Sequence, residues 1–245
     1  MRKSKPFIKE LHLTNPPYES YNQGCFWNLV DVLKSSILPF FIISSLSLLI
    51  VLVSFLDNRL ALAKLEEPPC FDKCRMVLVE SIPENLTYPE GSPVFPSTYH
   101  AWKSLLKDAT KSIDLAVFYW SLKNEDVTPI KMHSAWQGED VLQDLLRIGK
   151  STDVKIRVAQ NAPTKQQPQN DSKLLEQEGA AEVRSLDFNR LVGAGVLHTK
   201  MWIVDGKHLY LGSANMDWQS LTQVKETGIW IQNCSCLAQD MMKVF

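Results

Sequence analysis

The distribution of apolar residues divides the chain into one continuous hydrophobic run and a longer part with periodic patterns. Residues 35–56 contain no charged side chain, and about 20 apolar residues are enough to cross a bilayer as a helix. We therefore predict a cytoplasmic tail at residues 1–34, a transmembrane signal-anchor helix at 35–56, a stalk at 57–69 and a folded domain at 70–245.

The folded part alternates between short β-rich runs and amphipathic stretches. Runs of β-branched and aromatic residues predict strands, and apolar residues at helical spacing predict helices. The predicted strands are 76–81, 113–120, 154–159, 181–186 and 228–232, and the predicted helices are 97–110, 138–148 and 172–178. Strands that alternate with helices of this length favour an α/β fold with a mixed, mostly parallel sheet flanked by helices.

Charged residues on the two sides of the hydrophobic run predict its orientation. Basic residues precede the run, whereas residues 57–67 carry more acidic than basic side chains. The more basic flank stays in the cytoplasm. A cleaved signal peptide would start nearer residue 1 and end in a small-residue cleavage site, which fits this run poorly. The sequence thus predicts a single-pass type II membrane protein whose folded domain is lumenal or extracellular.

Cysteines and glycosylation triplets agree with that orientation. Four cysteines, an even number suited to two disulfides, follow the run: Cys70, Cys74, Cys234 and Cys236. Their spacing leaves the connectivity open, and a zinc site is the alternative, although thiolates are poorly maintained in an oxidising compartment. Three Asn-x-Ser/Thr triplets also follow the run, at Asn85, Asn170 and Asn233.

The charge balance excludes a broad electrostatic surface for nucleic acid or anionic membranes. The chain carries 26 basic and 27 acidic residues, with a formal net charge of -1. A protein that binds polyanions through its overall field needs a basic excess. Any anion-binding site must therefore be local.

The segment 198–215, HTKMWIVDGKHLYLGSAN, contains the candidate chemistry. Alternate residues of a strand share a face, so His198 and Lys200 are predicted to project together. Asp205 and the glycine after it predict a hairpin turn. The return strand is expected to bring Gly212, Ser213 and Asn215 back to the level of Lys200. An imidazole nucleophile beside an ammonium, a hydroxyl and an amide suits attack on a phosphodiester.

This segment resembles the phospholipase D superfamily motif H-x-K-x4-D-x6-G-S-x-N at every fixed position. The matching residues are His198, Lys200, Asp205, Gly212, Ser213 and Asn215. With the segments VLVESIPE, AVFYWSL and LTQVKE, the chain is similar to the lumenal, type II branch of the superfamily. That branch includes the mammalian phospholipases D three and four, which are endolysosomal 5′ exonucleases on single-stranded nucleic acid. The resemblance covers residues 69–245.

The resemblance implies a role for each site residue. His198 would attack phosphorus to form a phosphohistidine, and Lys200 and Asn215 would hold the phosphate oxygens. Glu226 would orient the imidazole of His198. Asp205 is expected to support the hairpin rather than touch substrate. No metal or cofactor is expected.

The resemblance also implies a cysteine pairing and a location. Cys70 would pair with Cys236, and Cys74 with Cys234. The protein would pass through the endoplasmic reticulum and Golgi to the endolysosome.

The chain departs from the family in having one motif where the superfamily site takes two. None of the other histidines begins an H-x-K pattern; they are His12, His100, His133 and His208. The chain is therefore expected to be the first half of a longer member, or to complete its site as a homodimer. Three functions stay open: a 5′ exonuclease, a phospholipid phosphodiesterase or transphosphatidylase, and a catalytically silent membrane-anchored fragment.

Overall fold

The computed structural model describes residues 38–65 and 73–245, with side chains described at 43–56 and 73–245. The chain divides into two compact units, Met1–Pro68 and Pro69–Phe245. The predicted cytoplasmic tail and the predicted disulfide partner Cys70 lie outside the described residues.

The first unit contains one described helix, α1, at Leu38–Leu65. The predicted helix ends at Leu56, whereas α1 continues through the charged residues Asp57, Arg59 and Lys64 into the segment predicted as a stalk. Within the described part of the chain, no helix has both the length and the apolar character needed to cross a membrane. The signal-anchor assignment therefore stays a prediction of the sequence.

The second unit is built on a central sheet with a small two-stranded sheet beside it. The seven strands of the central sheet are β1 (Arg75–Ser81), β2 (Ser112–Val117), β4 (Lys155–Asn161), β5 (Glu182–Leu186), β6 (Lys200–Val204), β7 (His208–Gly212) and β9 (Glu226–Gln232). The small sheet pairs β3 (Trp120–Ser121) with β8 (Met216–Asp217). The central order is β1-β9-β7-β6-β2-β4-β5.

The sheet is mixed, as predicted, but it is not mostly parallel. Only β2, β4 and β5 pair in parallel, because helical crossovers connect them. The pairs β2–β6, β6–β7, β7–β9 and β9–β1 are antiparallel. The antiparallel β6–β7 pair is the hairpin that the turn signal at Asp205 predicted.

Helices cover the sheet on both faces. They are α2 (Thr98–Asp108), α3 (Trp136–Ser151), α4 (Asn170–Gln177), α5 (Phe188–Val192), α6 (Trp218–Thr222) and α7 (Ser235–Met242), with 3-10 turns at Asn124–Asp126 and His133–Ala135. Helix α2 begins as predicted: Ser97 caps it, and its hydroxyl accepts from the His100 amide at 3.1 Å.

Alternate side chains of strand β6 point to opposite faces of the sheet, and each face packs against its own hydrophobic core. Trp202 stacks on Trp102 of α2 with ring centroids 5.0 Å apart, in the larger core. Met201 and Ile203 face the other way, against Ala238 of α7. Because both faces are packed, the ends of the strands are fixed, and the residues at those ends have defined positions.

Candidate active site

His198 and Lys200 meet at the start of β6. Lys200 is the first residue of the strand and is 7% exposed, whereas His198 lies two positions earlier and is exposed. The prediction that both residues stand on the strand is therefore wrong for His198. The pairing between β6 and β2 starts only where Lys200 lies opposite Val117. The two side chains nonetheless converge, as the motif spacing predicted.

The ammonium of Lys200 lies directly against the imidazole. Its Nζ is 3.1 Å from Nδ1 and 3.3 Å from Nε2 of His198, and it donates to the backbone oxygen of His198 at 2.8 Å. An ammonium can only donate, so a ring nitrogen that bonds to it accepts and is unprotonated. Burial lowers the pKa of Lys200, and the charge of Glu226 acts in the opposite direction.

Phe118 forms an aromatic wall of the site. Its ring centroid is 4.7 Å from that of His198, and the Nζ of Lys200 lies 5.3 Å from its centroid. A strand aromatic is usually a core residue, and Trp120 fits that description at 2% exposed. Phe118, in contrast, is half-buried, and its ring packs against the imidazole of His198. The lysine is held by a cation–π contact as well as by hydrogen bonds.

The end of β7 brings Gly212 and Ser213 to the same end of the sheet. Gly212 pairs with Gly228 of β9, and a Cβ added to Gly212 would lie 2.3 Å from the Tyr210 hydroxyl. The motif glycine is therefore required for packing. Ser213 donates from its amide to the Thr227 oxygen at 2.9 Å, and its hydroxyl accepts from the Thr227 amide at 3.0 Å.

Asn215 is partly exposed at the end of the β7 return. Its Oδ1 is buried and has no hydrogen-bond partner among the described residues. A buried polar atom without a partner is costly unless a ligand or water satisfies it. This oxygen can only accept a hydrogen bond, so a contact from Asn215 to a phosphate oxygen would have to come from its Nδ2 amide group.

Glu226 makes a different contact from the one expected. It is 9% exposed, its carboxylate accepts from the Ser213 hydroxyl, and its charge acts on Lys200. Within residues 73–245, no hydrogen bond joins Glu226 to His198. The orienting role of Glu226 stays a prediction. The observed contacts make it the residue that holds Ser213 and stabilises the charge of Lys200.

Asp205 supports the hairpin from the opposite end of β6, as predicted. Asp205 and Gly206 both have positive φ, and the carboxylate accepts from the amides of Thr110, Lys111 and Ser112 at 2.7–3.2 Å. Burial raises the pKa of Asp205, but these bonds and the Thr110 hydroxyl outweigh it and lower the pKa below the usual value.

Two groups that the motif does not contain also position the site. Asn161, the last residue of β4, is 5% exposed and accepts from the Leu197 amide at 3.0 Å, which fixes the residue before His198. The Tyr119 hydroxyl donates to the buried carboxylate of Asp217 at 3.1 Å. A polar residue that closes an apolar strand, as in the segment VAQN, is the sequence signal that points to Asn161.

The cysteines form at least part of the predicted pattern. Cys74 and Cys234 are joined in a disulfide with Cα atoms 4.6 Å apart. Cys236 is also disulfide-bonded, and its predicted partner Cys70 lies outside the described residues. The three described sulfurs lie within 4.8 Å of one another, but oxidised sulfurs do not supply the thiolates that zinc needs.

The three glycosylation triplets differ in their surroundings, although their asparagines are all exposed. Asn85 lies in an exposed turn together with the threonine of its triplet. Asn170 begins α4, and its Ser172 is 1% exposed. Asn233 immediately precedes the buried, disulfide-bonded Cys234. Geometry favours Asn85, and glycosylation at all three stays a prediction.

The sequence matches a known family over most of the second unit. A model of the "PLD3/4, PLD-like domain" matches residues 90–245. The chain is 48% identical over 208 residues to 5′-3′ exonuclease PLD3 of Xenopus laevis, covering 85% of this chain and 41% of the relative. It is 52% identical over 177 residues to PLD3 of Homo sapiens, covering 72% of this chain and 35% of that protein.

The chain is also similar to a second kind of curated relative and to a solved structure. The chain is 44% identical over 174 residues to 5′-3′ exonuclease PLD4 of Mus musculus, covering 71% of this chain and 34% of the relative. Among solved structures, it is similar to the phospholipase D family member Nuc from Salmonella typhimurium, with a TM-score of 0.48, 20% identity and coverage of 70% of this chain and 91% of that one.

The chain spans less than half the length of these curated relatives. All six motif residues lie within the matched segment, and five of the six gather at one end of the sheet. The match extends over more than half of the chain, and so the chain belongs to the PLD3/4 family of PLD-like domains.

Proposed function

We propose that this chain supplies one half of a phosphodiesterase site and that its substrate is the 5′ end of single-stranded DNA or RNA. The observation that carries the proposal is the placement of the Lys200 ammonium within hydrogen-bond distance of the exposed His198 ring. The related proteins named 5′-3′ exonucleases support the choice of substrate.

The geometry suits nucleophilic attack by His198. The exposed imidazole is free on its outer side, while Lys200 and Phe118 fix its inner side. A phosphodiester placed over the ring would accept a hydrogen bond from Lys200 at one non-bridging oxygen and one from the Nδ2 amide of Asn215 at another. The P–O bond to the leaving group breaks as the bond from imidazole nitrogen to phosphorus forms, and water later hydrolyses the phosphohistidine.

The departing oxygen needs a proton, and this step requires a second half. Neither His100 nor His133 carries the motif, and neither contacts His198 in the described structure. We propose that the proton comes from a second H-x-K half, contributed either by a longer chain or by a second copy of this one. In a symmetric pair, each copy would give one histidine and one lysine.

We also propose that the second unit resides in an oxidising lumen and that the hydrophobic segment 35–56 holds it at a membrane. The Cys74–Cys234 disulfide supports an oxidising compartment. Membrane attachment is proposed from the uncharged run and its basic N-terminal flank alone. Protease protection of microsomes containing the chain tests both points: the second unit is expected to be protected, and digestion without detergent would contradict the proposal.

Hydrolysis by the purified chain tests the enzymatic proposal. The full chain and the unit 69–245 are incubated with a 5′-hydroxyl single-stranded oligonucleotide and, separately, with a phospholipid. If two copies of the chain complete the site, we expect release of nucleotides from the 5′ end, which His198→Ala abolishes and the matched exposed variant His133→Ala leaves unchanged. A rate that rises with the square of the chain concentration identifies a homodimer. Phospholipid cleavage without nucleotide release would contradict the choice of substrate.

A further inference from the structure

A polar pocket lies beside the aromatic wall of the proposed phosphate site. Its cavity volume is about 260 Å³, and its lining includes Tyr119, Ser121, Gln166 and Gln167. The loops that follow β2 and β4 form it, at the same end of the sheet as Lys200. The ring of Tyr119 is 5.3 Å from that of Phe118, which in turn contacts His198. Two ring contacts, from Tyr119 to Phe118 and from Phe118 to His198, therefore connect the pocket with the imidazole.

The walls of the pocket are fixed by hydrogen bonds. Gln169, 1% exposed, accepts from the Trp120 amide at 2.9 Å and donates to the backbone oxygens of Phe118 and Asn161 at 3.1 and 3.2 Å. Asn170 donates to Asp126 at 3.0 Å, and this bond connects two of the segments that line the pocket. A pocket whose walls are already tied together loses little entropy when a ligand enters.

The lining predicts the chemistry of the occupant. Apart from Asp126, the lining residues are uncharged, and none of them is a cation. The pocket therefore offers no positive charge to bind a phosphate group. The side chains of Gln166 and Gln167 make no hydrogen bond within the described residues, and each carboxamide offers both donors and an acceptor. The Tyr119 hydroxyl donates to Asp217, so the aromatic ring is the part of this side chain that a ligand in the pocket can contact.

We infer that this pocket binds the nucleoside part of a nucleotide whose phosphate lies at His198 and Lys200. Carboxamides pair with the mixed donor and acceptor edge of a base, and an aromatic face stacks on it. The cavity volume is just below the ~300–1,000 Å³ of sites for drug-sized ligands, which suits a single base because a base is smaller than such a ligand. The position of the phosphate in this inference rests on the proposed function, whereas the contacts inside the pocket do not depend on it.

Equilibrium binding to the full chain in neutral detergent tests the inference. The probes are inorganic phosphate, adenosine 5′-monophosphate and adenosine without phosphate. We expect the monophosphate to bind about tenfold more tightly than phosphate, because two new hydrogen bonds and a stacking contact are added. The double variant Gln166→Ala/Gln167→Ala should remove most of that advantage and weaken adenosine binding, with phosphate affinity unchanged. Both glutamines lie in a surface loop, and Gln177→Ala is the matched exposed control.

The outcomes separate the pocket from the proposed function. Equal affinity for phosphate and the monophosphate, or an advantage that survives in the double variant, would overturn the pocket. Phosphate affinity that His198→Ala and Lys200→Ala both leave unchanged would count against the proposed function instead. In that case, adenosine binding that depends on the two glutamines would still support the pocket.

Discussion

At the scale of single residues, the charge of Lys200 depends on two opposing influences. Burial lowers its pKa, and the buried carboxylate of Glu226 raises it. Phosphate binding needs the charged ammonium, so Glu226 extends the range of pH over which Lys200 can bind an anion.

Replacing Glu226 tests this role directly. Glu226→Gln removes the charge that raises the Lys200 pKa while keeping an acceptor for Ser213. The Lys200 pKa should fall further, so phosphate binding should be lost at a lower pH on the alkaline side. The measurement is phosphate affinity as a function of pH, with the exposed Glu90→Gln as control. An unchanged alkaline limb would show that Glu226 does not act through Lys200.

Asp171 predicts a second pH dependence, in stability. Burial and, after it, the charge of nearby Asp126 raise the pKa of Asp171 to about 7. The hydrogen bond from the Leu122 amide and the positive charge of Lys123 lower the pKa but do not outweigh these causes. A carboxyl whose folded pKa is raised binds its proton more tightly in the folded state. The stabilisation is complete below the ordinary carboxyl pKa and disappears as the pH rises through about 7.

The expected effect is measurable by denaturant unfolding. Between pH 5 and pH 7 the free energy of unfolding should fall by about 1 kcal/mol per pH unit. Asp171→Asn mimics the protonated form and should flatten this slope, whereas the exposed Asp153→Asn should not. A slope that Asp171→Asn leaves intact would place the titrating group elsewhere.

At the scale of elements, the end of β4 holds the loop that carries His198. Asn161→Ala leaves the Leu197 amide without its acceptor. A lost partner of this kind costs about 1–3 kcal/mol, and 1.4 kcal/mol is tenfold in rate. We expect the phosphorylation rate of His198 to fall roughly tenfold.

The isosteric variant separates positioning from general damage. Asn161→Asp keeps the acceptor for Leu197, but it replaces the donor to the Ala162 oxygen with a charged carboxylate. It should retain more activity than Asn161→Ala, and the exposed Asn189→Ala should behave as wild type. Equal losses for the two Asn161 variants would argue against the amide contact as the cause.

The Cys74–Cys234 disulfide connects the start of β1 with the residue before α7 across a sequence separation of 160. Cross-links over long loops typically contribute about 2–5 kcal/mol, chiefly by restricting the unfolded chain. Cys74→Ser should therefore lower the free energy of unfolding by that amount, measured in the full chain with Cys25→Ser as control. A loss under about 1 kcal/mol would contradict the assigned role.

The elements were predictable where a local pattern decides them. The Ser97 cap, the glycine-containing turn after Asp205 and the spacing of His198 and Lys200 are all local signals, and the structure matches them. The direction of β6 is not local, because it depends on which strand the hairpin joins. The exclusion of His198 from the strand has the same origin, since pairing with Val117 starts at Lys200.

Contacts between distant segments were beyond the reach of the sequence. Asn161 and Leu197 are 36 residues apart, and Tyr119 and Asp217 are 98 apart. Neither pair has a fixed spacing that a motif would record. An aromatic residue at the end of a strand, such as Phe118, is usually part of the core, and only the packing shows that it faces the imidazole.

At the scale of the whole molecule, the second unit combines a well-packed sheet with an incomplete chemical site. It brings the proposed nucleophile His198, the ammonium of Lys200 and the amide of Asn215 to one end of the sheet, and the chain spans 34–41% of the length of the relatives compared. The proposed half-site depends on a second half for the proton of the leaving group, whereas the residues proposed for attack on phosphorus are all present.

A substrate with a good leaving group isolates that attack. The p-nitrophenyl ester of thymidine 5′-monophosphate releases nitrophenolate, a weak base that departs without a proton. The chain should therefore form the covalent intermediate even when no second half is present. Turnover should stop there unless a second half completes the site.

Mass spectrometry of the chain after reaction with this ester is the most direct test. We predict a burst of about one nitrophenolate per chain, with the thymidine monophosphate group attached to His198. His198→Ala should show neither the burst nor the added mass. A burst that survives in His198→Ala, or an added group on another residue, would contradict the assignment of His198 as the nucleophile.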